Sequence, residues 1–356
     1  MQKRKIKIIA ELGTNHLGDL SKARKMIEAA ARAGADAIKF QWVIADEIVH
    51  ARVGNVPLPG GSVSLYQRFK ELERPASFYE ALKVIVEEEF GLEFMCTPFG
   101  LESARQLIAL GVKSMKIASP ELNHYPLIES CAQENIPMYL SLGVSKLSDI
   151  EEAMQYLNPK TTTLLHCVTS YPADPTEYNL RQLPHLRCLF GTQVGVSDHT
   201  MDPLLVPVLA VLQGAMAIEK HMCLSKTDDG LDDPIALDPK EFARMVDAVR
   251  MAEIFPEAIL AELTYCYGGD LIECVFGDGQ KILAPNEQAN YGRTNRSICA
   301  LVDLPAGTEL TKENTALLRV EKELRPGLHP RHYAFILGRK LVAEVKAGDG
   351  ITWGEL

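Results

Sequence analysis

Gly195-Val196-Ser197-Asp198-His199-Thr200 and Ala217-Ile218-Glu219-Lys220-His221 decide how this chain folds. Each is a short apolar run that ends in a histidine. Between them Leu204–Leu212 has the length and apolar spacing of a helix. Two neighbouring parallel strands joined by that helix would set the imidazoles side by side at one edge of a sheet. With Asp198 and Glu219 beside them, the pair points to a divalent metal at the rim of an α/β barrel.

The same alternation extends in both directions. Strands are expected at Ile6–Leu12, Ala37–Gln41, Glu93–Thr97, Ser114–Ala118, Met138–Ser141, Thr163–Cys167, Gln193–Ser197 and Met216–His221. Helical spacing falls between them, at Leu20–Ala33, Ala76–Glu89, Leu101–Leu110, Tyr125–Glu134, Ser148–Tyr156 and Leu204–Leu212, and Lys240–Ile254 closes the series. The proline-bearing stretch 171–190 is the weakest link. Strict alternation implies a parallel sheet covered by helices, and eight such units over roughly 250 residues match a closed (β/α)₈ barrel. An open doubly wound sheet is the other architecture, but Gly13-Thr14-Asn15-His16-Leu17-Gly18 lacks the dinucleotide-binding spacing.

The chain divides into a barrel over residues 1–255, a linker over 256–292 and a small β-rich module over 293–356. The segment from Asp46 to Arg74, with Pro57-Leu58-Pro59-Gly60-Gly61 inside it, is long enough to be a lid over the barrel mouth. A net charge of −10 argues against a nucleic-acid surface. No apolar run approaches the ~18 residues of a membrane span, and no signal peptide precedes the first strand. Eight scattered cysteines without a C-x-x-C pair fit reduced, buried thiols. Together these features give the expectation of a cytoplasmic protein without nucleic-acid or membrane partners.

Polar groups collect where the eight strands end, which is the edge that carries barrel active sites. Lys39 and Lys116, with Thr97, Ser119, Ser141 and Ser197, make a ring of cations and hydroxyl donors suited to a small phosphate- or carboxylate-bearing anion. His199 and His221 are the metal candidates. Two imidazoles leave coordination positions open, which suits Mn²⁺ or Mg²⁺ acting as a Lewis acid on a carbonyl. Asp198 and Glu219 are expected behind the histidines, orienting them. His16 and His124 are either loop or site residues, and Trp42 either lines the mouth or packs under the lid.

These residues resemble the sialic acid synthases, which include the N-acetylneuraminate, legionaminate and pseudaminate enzymes. The similarity is carried by Glu11-Leu12-Gly13-x-Asn15-His16, Lys39-Phe40-Gln41, Thr97-Pro98-Phe99 and Lys116-Ile117-Ala118-Ser119-x-Glu121. It continues through Ser141-x-Gly143, Thr169-Ser170-Tyr171-Pro172, Gly195 to Thr200 and Glu219-Lys220-His221. The last module resembles the antifreeze-like (SAF, β-clip) domain that follows the TIM barrel of that family.

The resemblance implies condensation of phosphoenolpyruvate with an open-chain N-acylhexosamine, such as N-acetylmannosamine or a diacetamido-trideoxyhexose. Phosphate would leave by C–O cleavage. It implies that His199 and His221 bind Mn²⁺, with Mg²⁺ or Co²⁺ as substitutes, and that Glu11 and Glu121 are acidic groups near the reacting carbons. Lys39, Thr97 and Lys116 would hold the carboxylate of phosphoenolpyruvate, and Ser119, Ser141, Thr169 and Ser197 its phosphate. Gln41, Tyr171 and Asp232 would contact the sugar, and Arg325, which keeps the family's Arg-Pro-Gly order, its N-acyl group. Aligning instead on Gly327-Leu328-x-Pro330 puts Glu323 in the arginine's place. A domain-swapped homodimer, each module closing its partner's barrel, is also implied. The competing functions are a Schiff-base aldolase using Lys39, Lys116 or Lys220, and a carbohydrate-binding barrel without activity.

Overall fold

The computed structural model describes residues 5–58 and 61–356. Its strands are β1 (Lys7–Gly13), β2 (Ala37–Trp42), β3 (Asn55–Leu58), β4 (Gly61–Ser64), β5 (Glu93–Pro98) and β6 (Met115–Ile117). After these come β7 (Met138–Ser141), β8 (Thr162–Cys167), β9 (Gln193–Asp198), β10 (Ala217–His221), β11 (Arg296–Ala300) and β12 (Thr315–Arg319). Eight strands form one parallel sheet in the order β5-β2-β1-β10-β9-β8-β7-β6, and its two ends lie against each other to close the barrel. The expected (β/α)₈ architecture is present.

The helices follow from spacing and caps. In Leu20–Arg32 the buried residues Ala23, Met26, Ile27 and Ala30 repeat at three and four, and Asp19 caps the first turn by accepting from Ser21 N. Leu205–Leu212 buries nearly every side chain because helices Pro239–Ile254 and Pro256–Tyr267 cover it from outside. In Pro239–Ile254, Asp238 and Glu241 form a capping box around Pro239 at the first helical position.

Three stretches differ from the sequence expectation. Residues 256–276, read as linker, form helices Pro256–Tyr267 and Gly269–Phe276, and Ile259, Leu263, Ile272, Val275 and Phe276 join the barrel's core. Pro256 and Gly268 read as loop punctuation, yet they start one helix and separate the two. Within 171–190, Gln182–Phe190 is helical, with Gly191 in the left-handed conformation (φ 65°) ending it. In the C-terminal module only β11 and β12 pair as a ladder. The Lys340 and Gly350 stretches contribute isolated bridges, to Glu309 and Cys299.

The 46–74 segment is ordered structure over the mouth: helix Ala45–Ile48, the antiparallel β3–β4 hairpin, then helix Leu65–Leu72. Pro59 and Gly60, at the centre of the expected lid, lie outside the described residues. Val43, Ile48, Val49, Val53, Leu72 and Phe99 pack with Cys299, Leu318, Val320 and Leu324 of the module. In this single chain the module therefore sits over its own barrel's mouth; in the exchanged dimer implied by the resemblance the same contacts would join two chains.

Candidate functional site

A layer of side chains fills the barrel lumen: Ile9, Ala37, Met95, Tyr139, Leu165 and Ala217. Side chains on a strand alternate with period two, so the residues two positions later face inward at the next level. Those residues are Glu11, Lys39, Thr97, Ser141, Cys167 and Glu219, and one step further lie Gln41 and His221. All line one chamber, together with Lys116, Ser119, Tyr171, Ser197 and His199. Barrel closure and strand period thus gather residues spread over two hundred positions.

This inner chamber is small, about 60 Å³, and charge-balanced. Lys39 Nζ lies 2.7 Å from Glu11 Oε2, 3.3 Å from Thr97 Oγ1 and 3.5 Å from Glu219 Oε1. Burial works to lower the Lys39 pKa, but Glu11 and Glu219 outweigh it and hold the ammonium above its ordinary value. Lys116 is less well compensated: its Nζ donates to Ile117 O at 3.0 Å and is 3.9 Å from Glu219 Oε1. Burial, with Lys39 adding to it, pushes its pKa down to about 8. Ser197 Oγ donates to Glu219 Oε1 at 2.9 Å, whereas Ser141 Oγ is buried without a protein partner. Lysines and a free hydroxyl turned into a buried chamber are the donor set of an anion site.

The loops beside the ring are set by a residue that sequence reasoning missed. Glu287, from the segment after the last barrel helix, accepts from Val144 N and Thr169 N, both 2.7 Å from Oε1. Gly143 N donates to Ser119 Oγ at 3.0 Å. A Cβ on Gly143 would fall 1.9 Å from Thr169 Oγ1, 2.9 Å from Ser119 Oγ and 3.1 Å from Glu287 Oε1, so only glycine fits. Thr169 Oγ1 is itself buried and unpartnered, beside the serine ring.

The histidines fit a metal. Their rings are 5.5 Å apart, and burial lowers both pKa values, keeping the imidazoles neutral as ligation requires. His199 Nδ1 lies 2.9 Å from Val168 O, which leaves Nε2 as the outward lone pair. His221 Nδ1 has no hydrogen bond, the nearest carboxylate being Asp232 Oδ2 at 3.6 Å. Tyr171 stacks on His199 with ring centroids 4.3 Å apart. Among the described residues no group of three or more His, Cys, Asp or Glu side chains is arranged to hold an ion, so two protein ligands would leave the rest of the coordination sphere to substrate and water.

Several expectations are corrected here. Asp198 does not orient His199. It faces outward with Lys220, whose Nζ is 2.5 Å from Asp198 Oδ2 and from Thr200 O. Strand parity places Asp198 and Lys220 behind the sheet, and the orienting group for His199 is the Val168 carbonyl. Glu219 serves Ser197 and the two lysines, leaving Asp232 as the acidic neighbour of His221. Glu121 is not beside the histidines. It follows β6 in the 3₁₀ turn Ser119–Glu121, where period two no longer holds, and its fully buried carboxylate bonds Arg296 Nε and Arg319 Nη2 of the module. Burial alone would raise its pKa, but the two guanidiniums outweigh that and hold it below the ordinary carboxylate value. His124 caps helix Tyr125–Ala132, and Trp42 stacks on Tyr79 at 3.9 Å.

Arg325 is also displaced from the site, its guanidinium bonding Glu355 Oε1 at 2.7 Å and Gly350 O at 2.9 Å within the module. The arginine at the mouth is Arg319. It is 8% exposed, its Nε has no partner, and its guanidinium lies 5.4 Å from the Phe99 ring. Arg319 lines an outer chamber of about 300 Å³ with Thr14, Gln41, Tyr171, His221 and Asp232. Arg319 ends β12, a strand absent from the sequence reading, and only the docking of the module sets it apart from Arg325. A roomier cavity of about 530 Å³ lies elsewhere, between the loop after β8 and residues 277–287, and holds none of the ring lysines or serines.

Known proteins share this architecture. The NeuB family model matches residues 26–257, and the SAF domain model matches residues 295–356. N,N'-diacetyllegionaminic acid synthase of Legionella pneumophila is 34% identical over 360 residues, spanning 97% of this chain and 93% of that one. The crystal structure of spore coat polysaccharide biosynthesis protein SpsE from Bacillus subtilis superposes with a TM-score of 0.82 at 33% identity, covering 99% of this chain and 96% of that one. N-acetylneuraminic acid synthetase from Leptospira borgpetersenii, solved with citrate, gives a TM-score of 0.64 at 32% identity over 75% of this chain and 93% of that one.

Proposed function

This chain belongs to the NeuB family and carries a SAF domain behind its barrel, and from that premise we propose that it is a nonulosonic acid synthase. It condenses phosphoenolpyruvate with an open-chain N-acylated hexosamine. A bond forms between C3 of phosphoenolpyruvate and the aldehyde carbon, whose oxygen takes up a proton. Water adds at C2, and the bond from C2 to the phosphate oxygen breaks.

The observation that carries this reading is the division of the mouth into two connected chambers. The inner one, with Lys39, Lys116, Thr97 and the serine ring, holds the anion and aims its C3 outward. Fixing a reactant in this way is a proximity and electrostatic contribution. The outer one, sharing Gln41, Tyr171 and His221 with the inner, takes the sugar. The histidines stand at the junction, where a divalent ion, Mn²⁺ foremost, would supply Lewis acidity to the aldehyde. Tyr171, stacked on His199, covers one side of that junction, and Arg319 offers the unpartnered Nε to the acyl carbonyl in the role expected of Arg325. Because the module brings Arg319 to a barrel mouth, the site is complete only where a module and a barrel are docked.

Phosphate release from phosphoenolpyruvate, dependent on an N-acylhexosamine and on the two histidines, is the test. Release that ignores the sugar would refute the condensation. A second reading has one observation in its favour, the Lys116 pKa of about 8, which suits an amine nucleophile. Borohydride with pyruvate would then trap a covalent adduct on Lys116; the synthase forms none.

A further inference from the structure

The cavity of about 530 Å³ between the loop after β8 and residues 277–287 takes no part in the reaction proposed above. Small-ligand pockets span roughly 300–1,000 Å³, so it is large enough to hold one. His166 turns toward it from β8, because its neighbours Leu165 and Cys167 face the lumen. His166 Nε2 lies 2.5 Å from Tyr178 O, and a carbonyl only accepts, so Nε2 carries the hydrogen and Nδ1 keeps its lone pair. Burial pushes the ring's pKa down to about 3, which keeps it neutral. That Nδ1 is buried without a partner, and so are Gln182 Oε1 and Glu177 Oε2. His166 and Gln182 are each 3% exposed. Lys281 Nζ donates to Leu142 O at 2.9 Å and makes no other hydrogen bond among the described residues.

Buried polar groups left open in this way specify a ligand. Three acceptors without donors ask for hydroxyls. The other carboxylates of the lining are already answered: Asp278 by Gln280 N and Asn179 Nδ2, Glu287 by the amides of Val144, Thr169 and Ala284. One Glu177 oxygen and the Lys281 ammonium remain, and their charges cancel. A metal is not indicated, since no group of three or more His, Cys, Asp or Glu among the described residues could hold one. Val168, Ile282, Leu283, Ala284 and Pro285 add apolar surface suited to the C–H faces of a sugar ring. Two residues of this lining also reach the anion loops. Lys281 holds the carbonyl of Leu142, next to Ser141, and Glu287 holds the amides of Val144 and Thr169. We propose that the cavity binds a neutral sugar of one or two rings, and that its occupancy fixes residues 277–287 and thereby tightens the anion site. The sugar site stands apart from the synthase reading, whereas the coupling to phosphoenolpyruvate rests on it.

Saturation-transfer NMR on the full-length protein, with glucose, N-acetylglucosamine and maltose as probes, tests both parts. At least one probe binds, and phosphoenolpyruvate lowers its Kd by roughly fivefold or more, with the reciprocal effect on the Kd of phosphoenolpyruvate. Glu177→Leu removes an open acceptor, and Ile282→Trp, at an exposed position, narrows the cavity. Both variants lose the probe and still bind phosphoenolpyruvate. Absence of binding by all three probes overturns the site. Binding that survives both variants but is lost in His221→Ala puts the sugar at the barrel mouth and also overturns it. A probe Kd indifferent to phosphoenolpyruvate, in a protein that binds both, overturns the coupling. Failure to bind phosphoenolpyruvate at all overturns the synthase reading and the coupling while leaving the sugar site in place.

Discussion

Replacing Glu121 with glutamine tests what holds the module on the barrel. The carboxylate is fully buried and bonded by two guanidiniums from the module, Arg296 and Arg319. Removing one member of a buried ion pair costs about 3–5 kcal/mol, because the partner charge stays behind uncompensated. Arg296 is cushioned: it also donates to the carbonyls of Glu47, Phe99 and Leu317. The loss therefore falls mainly on Arg319, and about 3 kcal/mol, the lower end of that range, is expected as a drop in unfolding free energy in urea. The sign with pH is fixed by the lowered Glu121 pKa. The stabilisation is present above the unfolded value and is lost as pH falls through the folded one, so wild-type and Glu121→Gln stabilities converge in acid. In kinetics the variant raises KM for the sugar at least tenfold and leaves KM for phosphoenolpyruvate near its starting value, since Glu121 lines the inner chamber nowhere. A variant with unchanged stability and unchanged sugar KM but a collapsed kcat would refute this reasoning, making Glu121 an acid at the reacting carbons.

Four further outcomes are expected. Lys116 must be protonated to hold an anion, so kcat/KM for phosphoenolpyruvate falls as pH rises through about 8, and a flat profile from pH 7 to 10 would show that another group carries the charge. Gly143→Ala intrudes on Ser119 and Thr169 and raises KM for phosphoenolpyruvate by tenfold or more while far-UV circular dichroism stays unchanged. Chelation abolishes phosphate release and Mn²⁺ restores it, whereas His221→Ala gives a protein that Mn²⁺ does not rescue; activity in excess chelator would remove the metal from the mechanism. Mass spectrometry after pyruvate and borohydride shows no adduct on Lys39, Lys116 or Lys220, and a mass shift on any of them would favour the aldolase.

What could be seen in the sequence was set by local rules. Eight alternations of period two and period 3.6 announce the barrel, and the strand ends announce Lys39, Thr97, Ser141 and His221 as site residues; parity along the observed strands also turns Glu219 inward, where the sequence reading has it behind the histidines. Parity stops where the strand stops. Glu121, two residues into a 3₁₀ turn, is placed near the reacting carbons only by the family resemblance, and Asp198, on the outward face, only by its place beside His199. Arg319 and Arg325 are both arginines of one module. Only the docking of that module tells which reaches the mouth, and docking depends on long-range packing of Leu318 and Val320 against Val43 and Phe99. Glu287 was hidden for the same reason, as its partners lie more than a hundred residues earlier in the chain.

The two bonds from Glu287 to Val144 N and Thr169 N carry a consequence for synthesis. The loops that frame the serine ring are made when the chain has reached about residue 170, but the carboxylate that fixes their amides is added more than a hundred residues later. A nascent barrel can close its hydrophobic layer on the ribosome while its anion pocket still lacks the strut that sets it. The segment leading into the module arrives late, so a chain that ends between Phe276 and residue 287 lacks the carboxylate that fixes the Val144 and Thr169 amides.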